Sequence, residues 1–148
     1  GFVSISGRLE MYRVAIEMIK ENPFFGVGPG RYQKEVTKRI EAGTADRAIG
    51  IYQYPHNDYL TVASCCGIPG LVIFCLTAYL LPLHTVYRFS GKDLKKPLLW
   101  AGFILISGYM LFSISNATLF KNIRLHYYYL MLAAIAVSMK SAEQEEKI

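Results

Sequence analysis

Charge is missing from most of the second half of this chain. No Asp, Glu, Lys or Arg occurs from Tyr59 through Tyr87, from Leu98 through Phe120 or from Leu125 through Met139. The first two gaps exceed the ~20 residues that a helix needs to cross a bilayer, and the third is somewhat short of it. Cysteine is scarce as well. Cys65, Cys66 and Cys75 lie in or beside apolar sequence, and their odd, clustered set excludes a disulfide framework and has no metal-ligand spacing. They read as small buried hydrophobes. No Lys/Arg run is interleaved with aromatics, which sets aside a nucleic-acid partner. No signal peptide and no internal repeat is visible.

What is present fits those gaps. The chain has 148 residues, one domain's worth, with 53% hydrophobic and 18% charged residues, a balance that leans towards a membrane protein. Its net charge of +5 lies largely beside the apolar runs, where it reads as a topology signal. The chain starts at Gly1 without a methionine, and we expect it to be the C-terminal part of a longer protein.

Ser6 to Glu21 patterns as an amphipathic helix capped by Ser6, with Leu9, Tyr12, Ala15, Ile16 and Ile19 forming its apolar stripe. Arg8 lies one turn before Tyr12, at the edge of that stripe. Glu17 and Glu21 read as solvated charges, as do Arg13, Arg39 and Arg47. Asn22-Pro23 ends the helix, since a residue before proline is pushed out of the α region. Gly26-Val27-Gly28-Pro29-Gly30 is a tight irregular turn whose spacing does not match a dinucleotide fingerprint. Arg31 to Ala42 reads as a second short helix, Gly43 to Gly50 as a polar loop, and Ile51 to Pro55 as an extended approach to His56.

After His56-Asn57-Asp58 the membrane region begins. Asp58 to Cys66 reads as an interfacial helix, interrupted by Gly67-Ile68-Pro69-Gly70. Spans are expected at about 71–87, 98–120 and 125–139, with Tyr127, Tyr128 and Tyr129 at a headgroup boundary and a polar cytoplasmic tail, 140–148, without regular structure. The basic Arg88–Lys96 loop should be cytoplasmic, which puts residues 1–57 outside. The fold class is therefore all-α and integral to the membrane: an extracytoplasmic helical loop followed by three transmembrane helices.

Chemistry is sought first at His56, whose side chain has the pKa range of a base at neutral pH. Asn57 can fix its tautomer or orient a substrate, or His56 can be an interfacial histidine without a special role. His84 and His126 fit that second description better. Arg8 and Arg31 are candidates for holding an anionic group, because a guanidinium presents a planar fork suited to phosphate.

Ser6-Gly7-Arg8, Asn22-Pro23-Phe24-Phe25-Gly26-Val27-Gly28-Pro29-Gly30 and His56-Asn57-x9-Gly67-x2-Gly70 together resemble the O-antigen ligase and polymerase family of bacterial inner membranes. The resemblance covers nearly the whole chain but only the C-terminal part of such a protein, a polytopic, GT-C-like glycosyltransferase. It implies transfer of a glycan from undecaprenyl pyrophosphate to a lipid A core sugar, to another lipid-linked repeat (polymerases) or to a protein hydroxyl (pilin-type ligases). It also implies a periplasmic active-site loop, membrane lipids as surroundings and no cofactor. The motif histidine corresponds to His56, the base that deprotonates the acceptor. The arginine at the start of the loop helix corresponds to Arg8, on the pyrophosphate, while a further arginine of the ligases lies upstream of this chain. Asn57, Gly26, Gly28, Gly30, Gly67 and Gly70 are motif positions. Two other classes stand beside this one. A transport or scaffold protein should bury ionisable residues along its spans, and these spans hold only His84 and His126. A binding loop on a membrane anchor would tolerate replacement of His56.

Overall fold

The computed structural model describes residues 5–88, 96–115 and 122–145, and every regular element among them is helical. In order these are α1 (Ile5–Glu21), α2 (Tyr32–Glu41), a 3-10 turn (Arg47–Ile49), α3 (Asp58–Cys75), a π-helical turn (Leu76–Leu80), α4 (Leu81–Arg88), α5 (Lys96–Ser115) and α6 (Asn122–Glu145). Two stretches, Asp58–Arg88 and Pro97–Ser115, are long and apolar enough to cross a bilayer. The basic loop that sets the expected orientation lies, between its ends, outside the described residues. The chain forms two compact units, one running to Phe74 and taking in the end of α5 at 113–115, the other holding the rest.

The core of the first unit corrects the expected face of α1. Met11, Val14, Ala15 and Met18 are its buried residues, packed with Tyr32 and Val36 of α2, Ile49 and Cys65. Leu9 and Ile16 are exposed, Tyr12 is half-buried, and of the expected stripe only Ala15 is fully inside. Both rows satisfy helical spacing, so periodicity alone does not choose between them. Ser6 is not the cap either, because the helix already includes Ile5.

Charges fasten α1 to α2 and to the loop beyond it. The Arg13 guanidinium donates to Glu10 at 2.9 and 2.6 Å, to Glu17 at 2.6 Å and to the Thr44 carbonyl at 2.8 Å. Glu10 also accepts from the Asp46 N–H at 3.2 Å. Arg39 does not sit on a solvated face: its side chain is 14% exposed and reaches Glu21 and Glu35. The Arg13 hydrogen bonds, helped by the Asp46 N–H and opposed by partial burial, hold the Glu10 carboxyl below its ordinary value of 4.5. A carboxylate whose pKa falls on folding contributes stability above its unfolded value, which is lost as the pH drops through its folded one. Thermal melts should therefore show acid destabilisation setting in below about pH 4.5, less steep in Glu10→Gln.

A break in α3 gives the glycine turn its partners. Gly67 takes φ 73 and ψ −177, and Pro69 has no N–H to offer the Cys65 carbonyl. The Ile68 N–H turns away from the helix to the Pro23 carbonyl at 2.7 Å. Ser64 and Cys65 would thus present bare carbonyls, and a buried one is costly. The Val27 and Gly28 N–H groups meet them at 2.8 and 2.9 Å. The turn and the helix break are one hydrogen-bonded clip.

The second unit repeats that logic. Pro82 removes the donor that the Ala78 carbonyl would meet in an α-helix, and the Tyr128 hydroxyl supplies it instead. Tyr128 is fully buried, its ring 4.5 Å from that of Tyr109, so it is a packing residue and not an interfacial one. The polar tail is not irregular as far as it is described, since α6 continues to Glu145 and 146–148 lie outside the described residues.

Candidate functional site

The His56-Asn57-Asp58 string is built around the start of α3. Asn57 caps that helix: its Oδ1 accepts from the Leu60 N–H at 2.9 Å, as an N-cap amide does for the third helical residue. Its carbonyl takes both the Thr61 N–H at 2.9 Å and the Thr61 hydroxyl at 2.7 Å. The other end of the Asn57 amide, Nδ2, donates to the Ile114 carbonyl at 2.9 Å. Both ends of the amide thus bond to backbone, and among the described residues Asn57 makes no hydrogen bond to the His56 ring.

The last turn of α5 is where the site residues gather. Here the Ile114 carbonyl accepts from Asn57 and from the Tyr12 hydroxyl at 3.1 Å, and the Ser115 carbonyl accepts from the Arg8 guanidinium at 3.3 Å. One residue earlier, the Ser113 hydroxyl donates to the fully buried Asp58 carboxylate at 2.7 Å. Arg8 from α1 and Asn57, next to His56, thus hold successive carbonyls of one helix end. Most of the Arg8 donors remain unused among the described residues.

His56 itself is the one non-glycine residue with positive φ among the described residues, at 54°. Side chains rarely adopt that region, and strain of this kind concentrates at functional positions. The half-buried ring lies edge-on to Tyr52 and Tyr54, at centroid distances of 5.4 and 5.6 Å. Its nitrogens make no hydrogen bond among the described residues. Neither Arg8 nor Arg31 bonds to it.

Arg31 is placed elsewhere. It precedes α2, its exposed side chain runs alongside Gly28, and its guanidinium has no ion pair among the described residues. Of the motif glycines, Gly26 and Gly28 belong to the clip on α3, and Gly30 stands in open space at positive φ. Gly67 is the break, and a Cβ at Gly70 would strike Cys66. Tyr12, Asp58 and Ser113 belong to the site although the sequence did not single them out for it. Asp58 left a trace there, as an acid opening an apolar run. Ile114 and Ser115 left none, because they contribute only backbone.

Comparison of the chain with curated proteins gives no significant match. The family model described as O-antigen ligase, Wzy_C, matches residues 2–75, which hold α1, the glycine turn, α2, His56 and α3. This chain therefore belongs to the O-antigen ligase family.

Proposed function

We propose that the chain carries the catalytic loop and the C-terminal spans of an inner-membrane glycosyltransferase that passes a glycan from undecaprenyl pyrophosphate to a sugar of the lipid A core. At family level this is an O-antigen ligase or polymerase type of membrane protein. The observation that carries the finer reading is the gathering of Arg8 and the segment adjoining His56 at the end of α5, with the imidazole unbonded.

His56 takes the proton of the acceptor hydroxyl as that oxygen attacks the anomeric carbon. The bond from that carbon to the pyrophosphate oxygen breaks, and its electron pair leaves with undecaprenyl pyrophosphate. Arg8 faces the growing negative charge with a fixed guanidinium, and such preorganised charge acts most strongly in a site that excludes water. Arg31, at the end of the glycine turn and away from that gathering, offers a second, exposed guanidinium to an anionic group. Attack opposite the leaving group inverts the anomeric carbon. The loop faces the periplasm, and three helices cross the membrane.

The test expresses the full-length protein that carries this chain in a strain without its own ligase. Recovery of polysaccharide-capped lipopolysaccharide on a gel is the expected result. Stable, membrane-inserted protein with polymer still held on its lipid carrier would overturn the ligase reading.

A further inference from the structure

Phe24 and Phe25 sit at the tip of the turn after α1, 70% and 87% exposed. Two adjacent aromatic rings left this bare need something apolar to cover them. What lies beside them is fixed by backbone. The Ile68 N–H donates to the Pro23 carbonyl at 2.7 Å, and a Cβ built at Gly67 would lie 2.3 Å from the Phe24 carbonyl oxygen. The tip is thus held against α3 at Gly67 and Ile68.

That is also where the surroundings of α3 change. From Asp58 to Gly67 no residue is exposed and most are buried within the first unit, whereas Ile68, Val72 and Ile73 are exposed apolar side chains. The whole stretch Asp58–Arg88 has 31 residues, more than a bilayer crossing requires. Counting back from Arg88, about 20 residues of helix, or about 30 Å at the usual rise, reach Ile68. The length and the burial pattern mark the same level as the point at which α3 meets lipid.

We propose that the Pro23–Phe25 turn is a membrane-docking tip whose phenylalanine rings lie among lipids at the boundary between headgroups and acyl chains. The turn from Asn22 to Gly30 carries no charge that such a position would have to desolvate. Gly26 and Gly67, by allowing the backbones to touch, fix the tip against the Gly67–Ile68 segment of α3. The depth at which the first unit rides on the bilayer, and with it the height of the site at the end of α5, is then set by this contact. The inference rests on the membrane character of the chain and not on the transfer chemistry proposed above.

The test places a tryptophan reporter at the tip. The full-length protein, with Trp100 and any other native tryptophan changed to phenylalanine, receives Phe25→Trp and is reconstituted into phosphatidylcholine–phosphatidylglycerol vesicles. Parallel vesicles contain lipid brominated near the headgroup end of its acyl chains. We expect blue-shifted emission that is largely lost in the brominated vesicles and little affected by iodide in the water. Thr37→Trp, on the exposed side of α2, should behave in the opposite way. Emission from Phe25→Trp that is red and iodide-sensitive would put the tip in water and overturn the proposal. So would blue emission indifferent to both quenchers, which means cover by protein. Phe24→Trp gives the same reading if Phe25→Trp fails to fold.

Discussion

Gly67→Ala is expected to open the clip between the glycine turn and α3 and to cost about 3–5 kcal/mol, a size that few single substitutions reach. Two effects act together. The backbone at φ 73, ψ −177 lies in a region that is essentially restricted to glycine, and forcing alanine into it costs about 1–3 kcal/mol. The new Cβ would also lie 2.3 Å from the Phe24 carbonyl oxygen and 2.7 Å from that of Pro23, neither of which can rotate away as a side chain would. The two backbone segments must part. Three hydrogen bonds go with them, Val27 to Ser64, Gly28 to Cys65 and Ile68 to Pro23, each contributing about 1 kcal/mol. The melting temperature of the detergent-solubilised protein should fall by roughly 10 °C, and proteases should cut the turn faster. Gly30→Ala separates the two effects. Gly30 also has positive φ, but a Cβ there meets nothing within 4 Å, so only a backbone cost of about 1 kcal/mol applies. Equal melting temperatures for the two variants would mean that the contact with the Pro23–Phe24 carbonyls does not hold the clip.

The sequence announced this break but not what repairs it. Glycine and proline at 67–70 are strong punctuation inside an apolar run, and the charge-free runs mark α3 to α4 and α5 as helices suited to lipid. The second helix, expected from Arg31 to Ala42, was legible too: α2 runs Tyr32–Glu41 with those two residues as its caps. The donors to the freed carbonyls were not, because Val27 and Gly28 act through backbone N–H groups that every residue but proline has. Tyr128 was read as an interfacial aromatic for a related reason: nothing local to it shows that Pro82, far away in sequence, has left Ala78 needing a donor. The face of α1 was misread because that helix is apolar on two sides. Met11 and Met18 face the core, while Ile5, Leu9 and Ile16 form an exposed row that the same periodicity describes. For the site, the residue types stood out in the sequence, but their meeting place did not. Arg8, Tyr12 and Asn57 converge on two carbonyls of a helix that begins about 40 residues after His56, and a carbonyl has no signature in a sequence.

His56→Gly should separate catalysis from folding more cleanly than His56→Ala. At φ 54 both histidine and alanine are strained, whereas glycine is not, and the relief of about 1 kcal/mol roughly offsets the extra chain entropy that glycine loses on folding. The neighbouring structure does not depend on the imidazole. Asn57 and Asp58 are fastened to α3 and α5 by their own bonds, and the ring contacts of His56 are edge-on ones to Tyr52 and Tyr54. The glycine variant should therefore melt close to wild type. Its transfer rate should nevertheless fall by about 10²–10⁴-fold, the usual contribution of a positioned general base, and a lipopolysaccharide gel should lose the long-chain ladder while polymer gathers on its carrier. The alanine variant should lose the ladder too, with a slightly lower melting temperature. A structural role for His56 predicts the reverse pairing, in which the ladder weakens only as far as the protein level does. A full ladder from His56→Gly would leave the imidazole as an interfacial side chain, and proton removal from the acceptor would have to be assigned to another group. Near-wild-type stability with the ladder gone would mean that the strained backbone is kept for the sake of the reaction.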